Sequence, residues 1–526
     1  MKEKIVNIYL LIFVVILAAP LLIDAFNRTG TRHYLAFLFS VIIALSIRII
    51  FNIKPFYFVL FSFPVLLLSI NYDVLVLEYK TFINITTWFA IFNTDYNEAT
   101  DFVANTALST KLLVVFQILA YLFFLFLTYR RSISESSGKV KKILLVLLLF
   151  FSVDFFLKGA TRVAFPFRGL EGLYDYVSTK ITEAKYLDIK RNAKFDAVRK
   201  PEFANDQKET IVIVVGESLR RDHLGYYGYA RETTPLIKNE DLIIFSDVVS
   251  PANQTINSLK RVFTRAEMLT DNYYWKEPSL IKAFKEVGFT TYWITTQPVY
   301  GRHESEASFI GEETDMFIDE HKRKNGYDEN LLSSYKKVLH NGVNKKIIFL
   351  HIMGNHASYR KRYPPDFSFF DLNDNSDKKQ HIIDLYDNAV KYNDYFLHKV
   401  LTGLKHIRGE KSFIMFSDHG ESLFDTEGFC YHGSANPSKS EYIVPLILWL
   451  SGEFKANHPS LVDEISANKD KPVLLSDMFH ALPGLYGIEF EKRNKKNDFF
   501  SHYYKSKLNR KVLNVDLELL DYNNLP

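Results

Sequence analysis

Long apolar runs fill the first 160 residues of the chain, and short apolar runs between polar stretches fill the rest. Five runs, at 6–22, 35–51, 56–75, 112–129 and 143–157, have the length or nearly the length to cross ~30 Å of hydrocarbon as helices. No small-x-small cleavage pattern separates the first run from a soluble region, and more runs follow, so it reads as an uncleaved anchor. Basic residues in the short loops set the orientation. Lys2 and Lys4, Arg48 and Lys54, and Arg130, Arg131, Lys139, Lys141 and Lys142 mark the cytoplasmic side, against only Arg28 and Arg32 in the first outer loop. An odd number of spans then places everything after residue 160 outside the cytoplasm.

The loop 78–111 belongs to that outer side. Trp88, Phe89, Phe92 and Phe102 are interleaved there with Asn, Thr and Asp, a mixture that suits the lipid headgroup level as well as ordinary loop packing. Further on, Leu170, Leu173, Val177 and Ile181 recur at helical spacing, with Glu171, Asp175, Lys180 and Glu183 on other faces. The pattern predicts an amphipathic bridge within 161–205, lying on the membrane or packed on the domain that follows.

From residue 206 the candidate elements are strands at 211–215, 243–248, 290–294, 347–352, 413–416 and 443–450. Long connections between them predict parallel pairing with crossover helices, hence an α/β sandwich. A formal charge of +4 gives no sign of a nucleic-acid binder. The single cysteine, Cys430, excludes an intramolecular disulfide and a CxxC metal site.

The candidate chemistry sits at strand ends. Gly216 breaks the run Ile211-Val212-Ile213-Val214-Val215 and delivers Glu217 at its carboxyl end, where open α/β sheets keep their ligand sites. The run 413–416 ends in Ser417-Asp418-His419-Gly420-Glu421. Two strand ends bearing metal-type ligands predict one divalent-metal site split across the sequence. Between them, Ser250-Pro251-Ala252-Asn253-Gln254-Thr255 reads as a loop entering a helix. A hydroxyl at that place serves either as a cap or, beside a metal, as a nucleophile facing an anionic phosphate. The segments His351-Ile352-Met353-Gly354-Asn355-His356 and Tyr431-His432-Gly433 add histidines beside glycines. With Asp and Glu converging on them, they have the composition of a zinc phosphoryl-transfer site.

In order, Gly216-Glu217-Ser218, Gln254-Thr255 with Ser258-Leu259, Gly354-Asn355-His356, Ser417 through Ser422 and His432-Gly433 resemble the membrane phosphoethanolamine transferases. That family modifies bacterial lipopolysaccharide and belongs to the alkaline phosphatase and sulfatase superfamily. Gly228 through Pro235, Arg362-Tyr363-Pro364, Tyr386-Asp387-Asn388 and the outer-loop Asn97-Glu98-Ala99 are similar to it too. The resemblance implies a five-helix transmembrane domain over 1–160, a bridge over 161–205, and an α/β sulfatase-like (alkaline phosphatase-like) catalytic domain over 206–526. The protein would be a multi-pass protein of the bacterial cell inner membrane with its catalytic domain in the periplasm.

The resemblance also implies residue roles. Glu217, Thr255, Asp418 and His419 would bind a catalytic zinc, Thr255 being also the nucleophile. His356 and His432 would contact the phosphoryl group or a second metal and help proton transfer, and Asn97 and Glu98 would meet the lipid substrate. The implied reaction moves phosphoethanolamine from phosphatidylethanolamine to lipopolysaccharide, at lipid A or a core sugar, through a phospho-threonine intermediate. A phosphoglycerol transferase of the lipoteichoic-acid synthase type would share spans, nucleophile and fold, and is the alternative. A formylglycine sulfatase is excluded, because Cys430 is followed by Tyr431 and His432 and not by a C/S-x-P-x-R motif. Two departures stand out: Ser218 where Thr is common, and one cysteine where many lipid A-modifying members carry several disulfides. The second shifts weight toward members acting on core sugars.

Overall fold

The computed structural model describes residues 2–27, 31–78, 83, 87–88, 91–92, 96–129, 138–156, 167–203, 207–270, 272–297, 310–321, 326–370, 377–426 and 429–526. They form two compact units, Met1–Ile181 and Thr182–Pro526. Outside the described residues lie Arg28, Phe89, Arg130 and Arg131, and the side chains of Lys2, Lys4, Arg32, Asn97 and Glu98.

In the first unit the apolar runs are helical: α1 Lys2–Asn27, α2 Thr31–Ile50, α3 Pro55–Phe61, α4 Phe63–Glu78, α5 Tyr96–Asn105, α6 Leu108–Thr128 and α7 Gly138–Phe156. The bridge pattern becomes α8, Phe167–Asn192, on which Leu170, Val177 and Ile181 stay exposed. Among the described residues one helix, α6, is by itself long and apolar enough to cross a membrane. The expected third span is broken into α3 and α4, which pass that test only as a pair bent by 48°. Pro64 explains the break: it has no N–H to give, and its ring would meet the carbonyl of Leu60 in a continuous helix. That carbonyl accepts instead the Tyr121 hydroxyl of α6 at 3.1 Å. Within 78–111, Trp88 stacks on Phe92 and Phe92 on Tyr176 of α8, while Trp88 Nε1 donates to the Gly169 carbonyl at 2.9 Å. Those two aromatics are therefore engaged in loop packing.

The second unit is built on a seven-stranded sheet. Its strands are β1 Glu209–Gly216, β2 Ile243–Ile244, β3 Thr290–Thr295, β4 Met316–Asp319, β5 Lys345–His351, β6 Glu410–Ser417 and β7 Leu446–Leu450, in the order β2-β7-β6-β1-β5-β3-β4. From β6 to β4 the pairing is parallel. Parallel pairing fails at the other edge, where β7 runs antiparallel to β6 and β2 antiparallel to β7. Among the described residues between β6 and β7 there are only loops, a 3-10 turn at Lys439–Glu441 and the small ladder of Ser422–Leu423 with Cys430–Tyr431, so the chain returns in the opposite direction. The expected strand 243–248 is two short pieces, the second of which, Val248–Val249, pairs with Val473–Leu474 outside this sheet. Edge strand β4 was not anticipated.

Strand β1 is buried along its whole length. Ile211, Ile213 and Val215 join one apolar cluster with Leu259 and Phe263, while Val212 and Val214 join the other with Tyr386 and Val390. Helix α9, Thr255–Phe263, thus covers one face and α10, Lys378–Lys405, the other. Burial on both faces is why β1 reads as a continuous apolar run. Its register sets Val215 opposite His351 and Gly216 opposite Ser417. Three strands end level, and the segments carrying Glu217, Asp418 and His356 leave the sheet side by side.

Candidate active site

The turn after β1 is unusual in its backbone. Ser218 adopts φ +55°, a conformation that disfavours any residue with a Cβ. Its neighbours hold it there. The Ser218 N–H donates to Asp418 Oδ1 at 3.2 Å, the Leu219 N–H to Ser417 Oγ at 2.9 Å, and the Tyr386 hydroxyl to the Ser218 carbonyl at 2.8 Å. From the other side the Asn355 N–H donates to the Glu217 carbonyl at 2.9 Å. Gly354 makes that approach possible: at φ +48°, a Cβ there would stand 3.0 Å from the Glu217 carbonyl oxygen.

These contacts aim Glu217 at three other side chains. Its Oε2 accepts the Thr255 hydroxyl at 3.1 Å and Gln297 Nε2 at 3.1 Å, and its Oε1 lies 3.3 Å from His419 Nε2. Thr255 Oγ1 is 3.3 Å and Asp418 Oδ2 3.4 Å from the same nitrogen. Four ligands ~2.0–2.2 Å from one ion stand ~3.3–3.5 Å apart at the corners of a tetrahedron, close to the 3.3–3.4 Å that separates His419 Nε2 from the nearest Glu217, Thr255 and Asp418 oxygens. Among the described residues Asp418 Oδ2, although buried, has no hydrogen-bond partner. His419 Nδ1 donates to the Gly420 carbonyl at 2.8 Å, so Nε2 is the ring nitrogen that faces the cluster. The donor set therefore fits a zinc-type cation. Thr255 is the first residue of α9 and its cap residue is Gln254, with no side-chain capping bond. Of the two roles open to this hydroxyl, capping is not the one it takes.

The electrostatics describe a site that demands positive charge. Burial pushes Asp418 up to about 7, with the Glu217 carboxylate adding to the effect. Burial also opposes the charged form of His419, yet the Asp418 and Glu217 carboxylates outweigh it and raise the imidazole to about 10. Burial would raise Glu217 as well, but His419 holds it well below the usual carboxylate range. Thr255 and His432 are partly exposed whereas Glu217, Asp418 and His419 are buried, so the cluster opens on the hydroxyl's side.

The other two histidines flank that opening. The His432 ring lies 4.2 Å from that of His419 and 6.1 Å from that of His356. One ligand atom from each of Glu217, His419 and His432 falls within 4.8 Å of the others. His432 Nδ1 is already taken by Glu421 Oε2 at 2.7 Å, so only Nε2 is free to face a ligand. The second oxygen of Glu421 accepts the Tyr359 hydroxyl at 2.6 Å. Burial keeps His356 down at about 4; Glu217 opposes this and the Arg362 charge adds to it. His351, by contrast, is buried beneath the site against Trp293. Asn97 and Glu98 belong to α5 in the first unit, and their contacts lie outside the described residues. The sequence reading missed the parts played by Glu421, Tyr359, Gln297 and Tyr386. Each acts through a partner far along the chain, and only the quoted Glu421 and Tyr386 motifs carried any signal.

Comparison with known proteins places this geometry. The family model described as Sulfatase matches residues 209–488. Phosphoethanolamine transferase EptC of Escherichia coli O18:K1:H7 (strain RS218 / NMEC) is 29% identical over 383 residues, covering 69% of this chain. The chain spans 65% of the length of that relative. Phosphoethanolamine transferase EptA of Helicobacter pylori is 24% identical over 515 residues, 91% of this chain and 92% of the relative. Among solved structures, the C-terminal periplasmic domain of EptC from Escherichia coli in complex with Zn has a TM-score of 0.58 at 28% identity. It covers 63% of this chain and 96% of that one. The integral membrane protein EptA from Neisseria meningitidis shares the fold over 94% of this chain and 97% of its own, with a TM-score of 0.71 at 19% identity. With the family model matched over more than half of its 526 residues, and with metal-type side chains gathered at level strand ends inside that match, this chain belongs to the sulfatase family.

Proposed function

We propose that this chain is a zinc-dependent phosphoethanolamine transferase that moves the headgroup of phosphatidylethanolamine onto lipopolysaccharide, at lipid A or a core sugar. The observation that carries the reading is the position of Thr255 Oγ1, between Glu217 Oε2 at 3.1 Å and His419 Nε2 at 3.3 Å at the start of α9. Names shared by the EptC and EptA relatives support it. Residues 1–160 would form a five-span inner-membrane domain, 161–205 a bridge and 206–526 the periplasmic catalytic domain, with Asn97 and Glu98 meeting the lipid.

Zinc would be held by Glu217, Thr255, Asp418 and His419, where it supplies Lewis acidity, favouring the ionised hydroxyl and drawing charge from the phosphoryl oxygens. Thr255 Oγ1 attacks the phosphorus in line, its proton leaving toward Glu217 Oε2. A Thr255–phosphorus bond forms as the bond to diacylglycerol breaks. His432, oriented at Nδ1 by Glu421, offers Nε2 for the proton that the departing diacylglycerol oxygen takes up. His356 faces the same space from the other side. An acceptor oxygen of lipopolysaccharide then attacks the same phosphorus, a hydroxyl acceptor giving its proton to His432 Nε2, while the Thr255–phosphorus bond breaks and Thr255 takes back its proton from Glu217.

Intact-mass measurement of the full-length protein with phosphatidylethanolamine tests this. The expected result is a phosphoethanolamine adduct on the wild type and none on Thr255→Ala. An adduct that persists in Thr255→Ala refutes the assignment, and a phosphoglycerol mass in the presence of phosphatidylglycerol would support the lipoteichoic-acid synthase type instead.

A further inference from the structure

Glu441 lies in the loop that leads into β7 and is fully buried. Its Oε2 accepts Asn253 Nδ2 at 2.8 Å and the Ser434 N–H at 3.1 Å. Its backbone carbonyl accepts the Gly420 N–H at 2.9 Å, and the carbonyl of Ser440 accepts the Glu421 N–H at 3.0 Å. One short segment thus ties together the stretch ahead of Thr255, the stretch after His432 and the stretch after His419.

Among the described residues two oxygens here have no hydrogen-bond partner, Glu441 Oε1 and Asn253 Oδ1. Both are buried acceptors, which is costly unless a donor reaches them. Turning the Asn253 amide over gives no relief, because Nδ2 faces two acceptors, Glu441 Oε2 and the Ser434 carbonyl at 3.0 Å. The two orphans belong to side chains already joined by one bond, and a single proton answers both. We propose that Glu441 is a neutral carboxylic acid whose Oε1–H donates to Asn253 Oδ1, closing an acid–amide clasp that holds the loop ahead of Thr255.

The electrostatics agree with this. Burial pushes Glu441 up to about 8, the bonds from Ser434 and Asn253 oppose that, and the Glu421 carboxylate adds to it. Besides Glu421, the titratable group facing it is Tyr442, and among the described residues no basic side chain is paired with it. The clasp makes Glu441 a positioning residue for the nucleophile loop, a role that rests on the proposed part of Thr255. Gln254, between the clasp and Thr255, packs against Gly433, where a Cβ would meet its Nε2 at 3.2 Å. Movement of the loop would therefore shift the hydroxyl and the His432 segment together.

The test uses the full-length protein in detergent with Glu441→Gln and Glu441→Ala. Gln is permanently neutral and pairs with Asn253 as the acid does; Ala has nothing to pair. A carboxyl raised from 4.5 to about 8 on folding contributes stability that is full below 4.5 and is lost as pH rises toward 8. The melting temperature of the wild type relative to Glu441→Gln should therefore fall steadily across that window and level off above it. A difference that stays constant with pH overturns the proposal. Labelled-headgroup transfer should be ~10–100-fold slower in Glu441→Ala than in Glu441→Gln, and the alkaline decline of the wild type should be absent from Glu441→Gln. Equal rates for Ala and Gln overturn the positioning role. If no variant and no wild type transfers headgroup, the enzymatic reading fails while the melting comparison still decides the clasp.

Discussion

Tyr386→Phe removes one oxygen from the support of the cluster and leaves the packing in place. The Tyr386 ring is buried in the core and meets Tyr359 edge-on at 5.2 Å, contacts that Phe retains. What disappears is a pair of bonds: the hydroxyl donates to the Ser218 carbonyl at 2.8 Å and accepts the Arg220 N–H at 2.9 Å. Leaving those buried backbone groups unpaired costs about 1–3 kcal/mol each. Ser218 is also held at φ +55°, a conformation that costs about 1–2 kcal/mol for a residue with a Cβ and that these bonds help to impose. Partial relaxation of the turn recovers some of this, so the expected loss is about 2–4 kcal/mol of stability. Relaxation also swings Glu217, the residue before Ser218, away from His419 and Thr255. Zinc affinity should fall ~10–100-fold, as for loss of other groups that orient metal ligands, and excess zinc should restore part of the transfer rate. Competition with a zinc chelator, thermal melting and labelled-headgroup transfer measure the three effects. A Phe variant that melts lower but binds zinc and transfers headgroup like the wild type would refute the link from Tyr386 through Ser218 to Glu217.

Two further outcomes are expected. Asp418→Asn keeps the shape of the side chain but removes the carboxylate whose Oδ2 has no hydrogen-bond partner, so metal analysis should find the variant nearly devoid of the ~1 zinc ion per chain expected for the wild type. Full zinc content in that variant would remove Asp418 from the ligand set. Gly354→Ala places a Cβ 3.0 Å from the Glu217 carbonyl at φ +48° and should cost about 1–3 kcal/mol, read as a lowered melting temperature together with weakened zinc binding.

The gathering of Glu217, Asp418 and His419 was legible because these residues sit where apolar strands stop. The β-branched run before Gly216 and the run before Ser417 are buried on both faces, so their ends show in the sequence and, by register, meet in space. Thr255 was legible only as an alternative, since capping and catalysis use the same residue type at the same place; in the structure the cap position falls to Gln254 and Thr255 turns its hydroxyl to Glu217. The reversal of β7 left no trace, because a connection length does not reveal whether it holds a helix or loops. The contacts of Tyr386 and Glu421, and Glu441 altogether, were opaque for another reason. A tyrosine in a helix or a glutamate in a loop carries no mark of the turn it will meet across the fold. The split of the third apolar run was foreseeable from Pro64, whereas the Tyr121 hydroxyl that takes up the freed carbonyl was not.

The level ending of β1 and β6 has a consequence for when the chain becomes active. Ser218 and Asp418 bond to each other across 200 positions, and every strand neighbour of β1 is likewise distant in sequence. Loop-closure entropy opposes such contacts until most of the sheet is present, and sheets of this topology form slowly. No fragment short of β6 can bring a carboxylate pair to the hydroxyl of Thr255. A chain still emerging or only partly folded carries all the earlier reactive side chains, yet it has no place to gather a metal or activate the hydroxyl. The proposed reactivity toward lipid would thereby be switched on by completion of the fold itself.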